Sequence, residues 1–374
     1  VKTTYDLIEK DLLEGIDLIN DSKYKVPAYH FNRRAANAFA ARFFLFKRDY
    51  ANSLKYADRA LGSAPILRDW KGINKNTLAS SVNDYNRETA TWNYLLQSTY
   101  SLQWRMHRTS GIRFVVNEGA NIKKDGKDWH IPSTLDVTLF GSGPNWSPVL
   151  PAYSGMVYVN GSGQQFGGWL FRLYEYFEYT DKIAGIGYVH MIYQPFTADE
   201  TILCRAEAKL YLGDQQGAIQ DLNLWTTSHQ ATNTLTLSSI KTKYDRTKPN
   251  NDFVSDLHPA EMGFEKVLTD DDQSVLDCIL HFRRIETIHE GQRWFDIKRY
   301  GIHVYHFFRG PREDEVHIDS LTWDDPRRVL QLPNNVIEAG YPSNRTSGSI
   351  GGSASSGNIV SKGNHSEPER YQLP

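Results

Sequence analysis

The chain has 374 residues, with 42 Lys+Arg against 44 Asp+Glu, so the formal charge is only −2. That balance excludes a basic phosphate-neutralising face, the main reason to expect a nucleic-acid partner. A hydrophobic fraction of 40% excludes a disordered chain, and no uncharged apolar run approaches the roughly 18 residues of a membrane-spanning helix.

The first segment sets Tyr5, Ile8, Leu12, Ile16 and Ile19 at steps of three and four, one stripe of a helix, with Thr4 in position to cap its start. After a polar loop with Pro27, a second stripe runs through Phe31, Ala35, Phe39, Phe43 and Phe46. The intervening Ala36, Ala38, Ala40 and Ala41 let another helix approach closely. That helix reads through Tyr50, Leu54, Ala57 and Leu61, ended by Gly62 and Pro65. A tight turn at Lys47-Arg48-Asp49 joins the two into an αα-hairpin. Ala41, Asp49-Tyr50 and Ala60 with Pro65 occupy the positions of a tetratricopeptide unit, and Ala206, Gly213-Asp214, Ala218 and Ile219 repeat them. The second pair opens with a capping-box pattern, Thr197-x-x-Glu200.

Between the pairs lies an insertion, about 66–195, of different texture. It carries Trp70, Trp92, Trp104, Trp129, Trp146 and Trp169 amid Gly, Pro, Asn and Ser, with only short strand-like runs such as Met156–Val159. A loop region this long inside a compact protein is functional or disordered, and so many large rings argue for an ordered, functional one.

Past a polar stretch at 226–273, an apolar helix is predicted from Val275 to Tyr300. Its densest charge pattern is RRIETIHEGQRWFDIKRYG, residues 283–301. On one continuous helix Glu286 and Glu290 share a face, as an acid/base pair would. Arg283 three before Glu286 and Arg293 three after Glu290 favour a salt-bridge lattice instead. Gly301 suits a left-handed stop.

Other signals point away from chemistry. Cys204 and Cys278 lie far apart in apolar helical patterns, as buried small hydrophobes do. Asp270-Asp271-Asp272 lacks the alternation of a calcium loop and suits a helix start. His303 and His306 are three apart without an obvious third ligand, so no metal and no cofactor is expected.

The helix at 283–301 resembles the signature of the SusD/RagB family of outer-membrane nutrient-binding lipoproteins: Glu290-Gly291, then Arg293-Trp294-Phe295-Asp296, then Lys298-Arg299. The stretch TDKIAGIGYVHMIYQPFTADETILCRAEAKLYLGD, the closing VLQLPNNVIEAG and the helix pair at 31–65 are similar to family sequence too, so the resemblance spans Tyr5 to Tyr341. The family's N-terminal portion with its lipidated cysteine has no counterpart here, and the Gly/Ser-rich tail is not typical of it. The resemblance implies a mainly α fold, a tetratricopeptide-like αα-superhelix with a loop-rich, aromatic-rich insertion. It implies one SusD-like domain over 1–374, divided into helices at 1–65, a ligand-binding insertion at 66–195, a second helical part at 196–301, a loop region at 302–346 and a tail at 347–374. It also implies capture of an oligosaccharide or, in some members, a peptide, without catalysis. The partner it implies is a TonB-dependent outer-membrane transporter, at a cell surface to which a lipid anchor outside this chain holds the protein.

Sugar recognition needs flat rings for the C–H faces of the ligand and polar side chains for its hydroxyls. Trp104, Arg105, Trp129, Asn145, Trp146 and Tyr153 are the expected ligand-binding residues on that ground, and no catalytic residue is expected. A glycoside hydrolase would need two opposed carboxylates, for which the insertion offers Glu118, Asp125, Asp128 and Asp136. A scaffold for protein partners would leave the insertion's rings without a purpose.

Overall fold

The computed structural model describes residues 2–73, 78–100, 120–124, 127–131, 157–159, 165–168, 176–231, 233–248, 251, 253–287, 290–309 and 316–343. Two compact units emerge, Val1–Glu118 with Ser133–Asp245 and Leu268–Thr287, and Gly119–Pro132 with Arg246–Val267 and Ile288–Pro374.

In the first unit α1 (Lys2–Gly15) starts ahead of Thr4, so that residue lies inside the helix rather than capping it. A Lys2–Asp6 ion pair at 2.7 Å, one helical turn apart, supports this extra turn. The predicted hairpin is present as α2 (Arg33–Lys47) and α3 (Tyr50–Leu61). Asn32 caps α2 by accepting the Ala35 amide at 3.0 Å, and Asp49 caps α3 by accepting the Asn52 amide at 3.1 Å. Between them Arg48 takes a left-handed φ of 66°, which turns the chain in a single residue. The alanine face of α2 is buried, and Ser53 of α3 comes close enough to donate to the Ala41 carbonyl at 2.9 Å.

Next come α4 (Trp70–Ile73), α5 (Leu78–Tyr85) and β1 (Asn93–Thr99). Trp70 and Trp92, counted with the insertion's rings by sequence, are buried core residues. Two short hairpins follow, β2 (Ala120–Lys124) with β3 (Lys127–Ile131) in the second unit, and β4 (Val157–Val159) with β5 (Gln165–Gly168) in the first. Then β6 (Tyr176–Asp181) and β7 (Ile186–Thr197) join β1 in an antiparallel sheet of order β1-β7-β6.

The second helix pair, α6 (Ala198–Tyr211) and α7 (Gln215–Ser228), follows β7 directly. Thr197 accepts the Glu200 amide at 3.2 Å, which is half of the expected capping box. The Glu200 carboxylate does not complete it, because it serves Arg42 at 3.1 Å and Arg283 at 3.4 Å. Nearly every residue of α6 is buried, the mark of a central helix, and α2, α3, α7 and α9 (Asp270–Glu286) pack around it. The short α8 (Leu237–Lys243) lies against α9. Thr269 caps α9 by accepting the Asp272 amide, and Asp270–Asp272 fill its first turn, where carboxylates complement the helix dipole. Cys204 and Cys278 are buried and free, as their sequence context predicts.

The second unit holds β2–β3, α10 (Gln292–Arg299), the antiparallel pair β8 (Val304–Arg309) and β9 (Val316–Leu321), and α11 (Asn334–Glu338). The continuous helix predicted from Val275 to Tyr300 is therefore two helices. Gly291, at a φ of 76°, is the N-terminal boundary of α10, and a left-handed residue ends helical continuity there. Glu286 and Glu290 thus do not share a helix face. Gly301 has the left-handed φ of 61° expected of it.

Candidate functional site

The first place to seek chemistry is the buried charge around α6 and α9. Arg68 donates to Glu286 Oε1 at 3.0 Å and to Gln194 Oε1 at 3.0 Å, and Trp225 donates its indole N–H to Glu286 Oε2 at 3.2 Å. Arg42 and Arg283 converge on Glu200, and Arg205 grips Asp221 through two hydrogen bonds of 2.7 and 2.9 Å. The salt-bridge lattice exists, but Arg283 reaches across to Glu200 and Glu286 takes Arg68, where i,i+3 neighbours are predicted. Burial pushes the Asp199 carboxyl up to about 7, although the Arg68 charge opposes it. Burial also lowers His229 to about 4, so its 3.7 Å approach to Glu286 is that of a neutral ring, not an ion pair at neutral pH. For Glu200 burial acts against the charge, but Arg42 and Arg283 overcome it and hold the carboxyl below its ordinary value. Shifted groups of this kind can do acid/base work. These are enclosed, with Asp199 wholly buried and accepting the Arg68 amide, so a substrate cannot reach them.

The described part of the insertion offers the opposite environment. In the hairpin of β6 and β7 the cross-strand pairs are Tyr176 with His190, Phe177 with Val189, Glu178 with Tyr188 and Tyr179 with Gly187. Alternation puts Phe177 and Tyr179 on one face and Tyr176, Glu178, Tyr188 and His190 on the other. Phe177, Tyr179 and Tyr188 are 47%, 53% and 55% exposed, which a core would never leave so wet. Phe177 and Tyr179 pack edge to face with centroids 4.7 Å apart. Gly187 makes room for them. A Cβ at that position would run into the Glu178 carbonyl oxygen and lie 2.8 Å from Phe177 Cε1.

The hairpin is held at both ends. Asn86 donates to the Tyr176 hydroxyl at 2.9 Å at its base. At its tip Asp181 Oδ1 accepts the amides of Ile183 and Ala184 at 2.8 and 2.9 Å, and Gly185 takes a φ of 67°. On the second face Tyr176 stacks on His190, and Glu178 reaches within 4.0 Å of the same imidazole. Rings with water-facing faces beside a carboxylate and an imidazole can grip a ligand that is apolar on one side and hydroxylated at its edge.

Of the ligand-binding residues predicted from sequence, Trp104, Arg105, Asn145, Trp146 and Tyr153 lie outside the described residues. Trp129 falls in β3, paired in register with Ile122, in the second unit. Phe177, Tyr179 and Tyr188 are not among the residues predicted from the sequence. Their signal was present in YEYFEYTDKIAGIGYVHMIY, where rings at alternate positions flank a turn-forming Asp and two glycines.

Residues 159–370 match the model of the SusD family, and residues 1–45 match a model described as starch-binding, associating with the outer membrane. The chain belongs to the SusD family. The match extends into the Gly/Ser-rich stretch beyond Tyr341, where the resemblance read from motifs stops. Similar solved structures include a SusD-like carbohydrate-binding protein from Bacteroides vulgatus, at 15% identity and a TM-score of 0.46. A SusD-like protein from Bacteroides fragilis gives 16% and 0.47, and surface glycan-binding protein A from Bacteroides uniformis gives 15% and 0.40. The alignments cover 85%, 90% and 80% of this chain but 57%, 69% and 57% of those proteins. The chain thus spans less than two thirds of the first and third. No curated protein is similar enough to this chain to count as a relative.

Proposed function

We propose that this chain captures an oligosaccharide nutrient at the outer-membrane surface and passes it, unaltered, to a partner TonB-dependent transporter. The observation that supports this most is the half-exposed aromatic hairpin of β6 and β7 within a SusD family chain. A pyranose presents C–H bonds on one face and hydroxyls at its edge. A ring such as Tyr188 takes the first, and groups such as Glu178 and His190 take the second. The paired helices serve as a rigid, tetratricopeptide-like frame for the insertion. Trp104, Arg105, Trp129, Asn145, Trp146 and Tyr153 are further candidate contacts on the chemistry of their side chains alone. A family model described as starch-binding and associating with the outer membrane, matched at residues 1–45, supports both the ligand class and an outer-membrane location.

Titration calorimetry against purified oligosaccharides and peptides tests this reading, with chromatography of the recovered ligand. Saturable binding of a glycan recovered intact is expected. Silence across the glycans with binding of a peptide overturns the ligand class. Release of shorter sugars, lost on changing Glu118, Asp125, Asp128 or Asp136, makes the protein a hydrolase.

A further inference from the structure

The second unit contains a cluster that the binding function does not use. His258 donates its backbone amide to the Tyr300 carbonyl at 2.9 Å, and His303 donates its own to the Asp256 carbonyl at 3.0 Å. Gly301 lies between these two bonds with a φ of 61°, and any Cβ there would press on His258 at 3.1 Å. The glycine thus lets two segments distant in sequence run side by side. The result is that Asp256, His258 and His303 bring one ligand atom each within 4.8 Å of one another. The imidazoles stack with centroids 3.9 Å apart, and both lean toward the same carboxylate. His258 Nε2 lies 3.5 Å from Asp256 Oδ1, and His303 Nδ1 lies 3.3 Å from Asp256 Oδ2.

We propose that Asp256, His258 and His303 form a binding site for a divalent cation of the zinc class. Metal–ligand bonds of about 2.0–2.1 Å in a tetrahedral site put neighbouring ligand atoms about 3.3–3.4 Å apart, close to the separation of each imidazole nitrogen from its own oxygen of the Asp256 carboxylate. His258 Nε2 is enclosed and has no hydrogen-bond partner, although it points toward a carboxylate. A ligand nitrogen poised for an ion has this property. The surroundings supply the outer support that metal-binding groups need. Tyr305 donates its hydroxyl to Asp256 Oδ2 at 2.9 Å, and Glu261 sits 3.7 Å from His258 Nδ1, the nitrogen facing away from the ion. Two imidazoles with one carboxylate select zinc-like ions over calcium or magnesium, which demand oxygen shells. The ion would clip the segment at 256–258 to the start of β8. His303 is one of the two histidines noted in the sequence, but its partners come from 256 and 258, not from His306.

The test uses the full, tag-free chain, stripped with a chelator and titrated with zinc chloride. One equivalent of zinc per chain is expected, with a higher melting temperature and no response to calcium at the same concentration. H258Q and H303Q should each weaken zinc binding at least tenfold, whereas H30Q, in the first unit, should retain it. No saturable zinc binding, or binding that survives in both H258Q and H303Q, overturns the proposal. Should either variant fail to fold, the cobalt(II)-loaded wild type decides. Paramagnetically shifted proton resonances from two imidazoles support the site, and their absence overturns it.

Discussion

Arg68 and Glu286 stand 218 positions apart in the chain, yet their side chains meet at 3.0 Å inside the first unit. The guanidinium also holds Gln194, whose amide donates to the Tyr85 carbonyl at 3.0 Å and the Asn86 side chain at 2.9 Å. One ion pair therefore ties α9 to the end of α5 and to β7, the strand that carries the aromatic hairpin. A buried charge left alone is costly, so R68M and E286Q should each lower stability by about 3–5 kcal/mol. R68M/E286L should lose less than the sum of the single changes, because it leaves no orphaned charge. Urea unfolding followed by tryptophan fluorescence measures this, and single losses below about 1 kcal/mol would contradict it.

Asp199 predicts a pH dependence. Its carboxyl titrates at about 7 in the folded protein because it is buried, against ~4 in an unfolded chain. Between those values the folded state keeps a proton that the unfolded state has released. Stability from this group therefore falls as pH rises through that window, then levels off. His229 acts oppositely. With its folded value lowered to about 4 by burial, the unfolded state binds the extra proton up to about pH 6.5, and stability rises with pH there. D199N abolishes the first slope and leaves the second. Its stability relative to wild type should thus increase from pH 5 to pH 7.5, and a constant difference in denaturation midpoints would refute the assignment.

The exposed rings separate binding from folding. F177A/Y179A removes the exposed rings of one hairpin face and Y188A the exposed ring of the other. Each should weaken binding of the glycan identified by calorimetry at least tenfold if that face makes the contact, while stability changes by less than about 1 kcal/mol, as at other exposed positions. Unchanged affinity in both would remove the hairpin from the binding surface.

Gly187 should behave as a positioning residue for the same surface. G187A forces its methyl against the Glu178 carbonyl and the Phe177 ring. The expected outcome is loss of glycan affinity matching that of F177A, with a cooperative thermal transition preserved. Full affinity in G187A would mean that the Phe177 ring does not need its seat.

At the helix break, G291A places a side chain at a φ of 76°. The cost is about 1–2 kcal/mol, and no other effect is expected because a methyl there meets nothing within 4 Å. A stabilised G291A would mean that the two helices can fuse.

Several parts of this protein were legible in its sequence because their signals are local. The α2–α3 hairpin follows from an alanine face, a tight turn at Lys47-Arg48-Asp49 and a stop at Gly62 and Pro65. The break at Gly291 was obscured because residues on both sides of it keep the spacing of a helix face. A glycine between Glu290 and Gln292 reads as a tolerated interruption until its φ is known. The partners of Arg283 and Glu286 were missed for a different reason. Helical spacing suggests neighbours on the same helix, whereas burial brings Glu200 and Arg68 from distant segments. The association of His303 with Asp256 and His258 is likewise a product of chain crossing, which no spacing rule records. For the hairpin rings the alternation is present in the sequence, but Phe and Tyr at alternate positions read equally as a buried strand until their exposure is known.

β1 and β7 bracket most of the insertion, and Thr99 pairs directly with Met191. The two stems are thus fastened to each other before the chain enters or leaves the helices. Loop closure grows only slowly more costly with length, so added length between these stems costs the closed strand pair little. Such a stem-closed cassette keeps the register of its two closing strands independent of the segment they enclose.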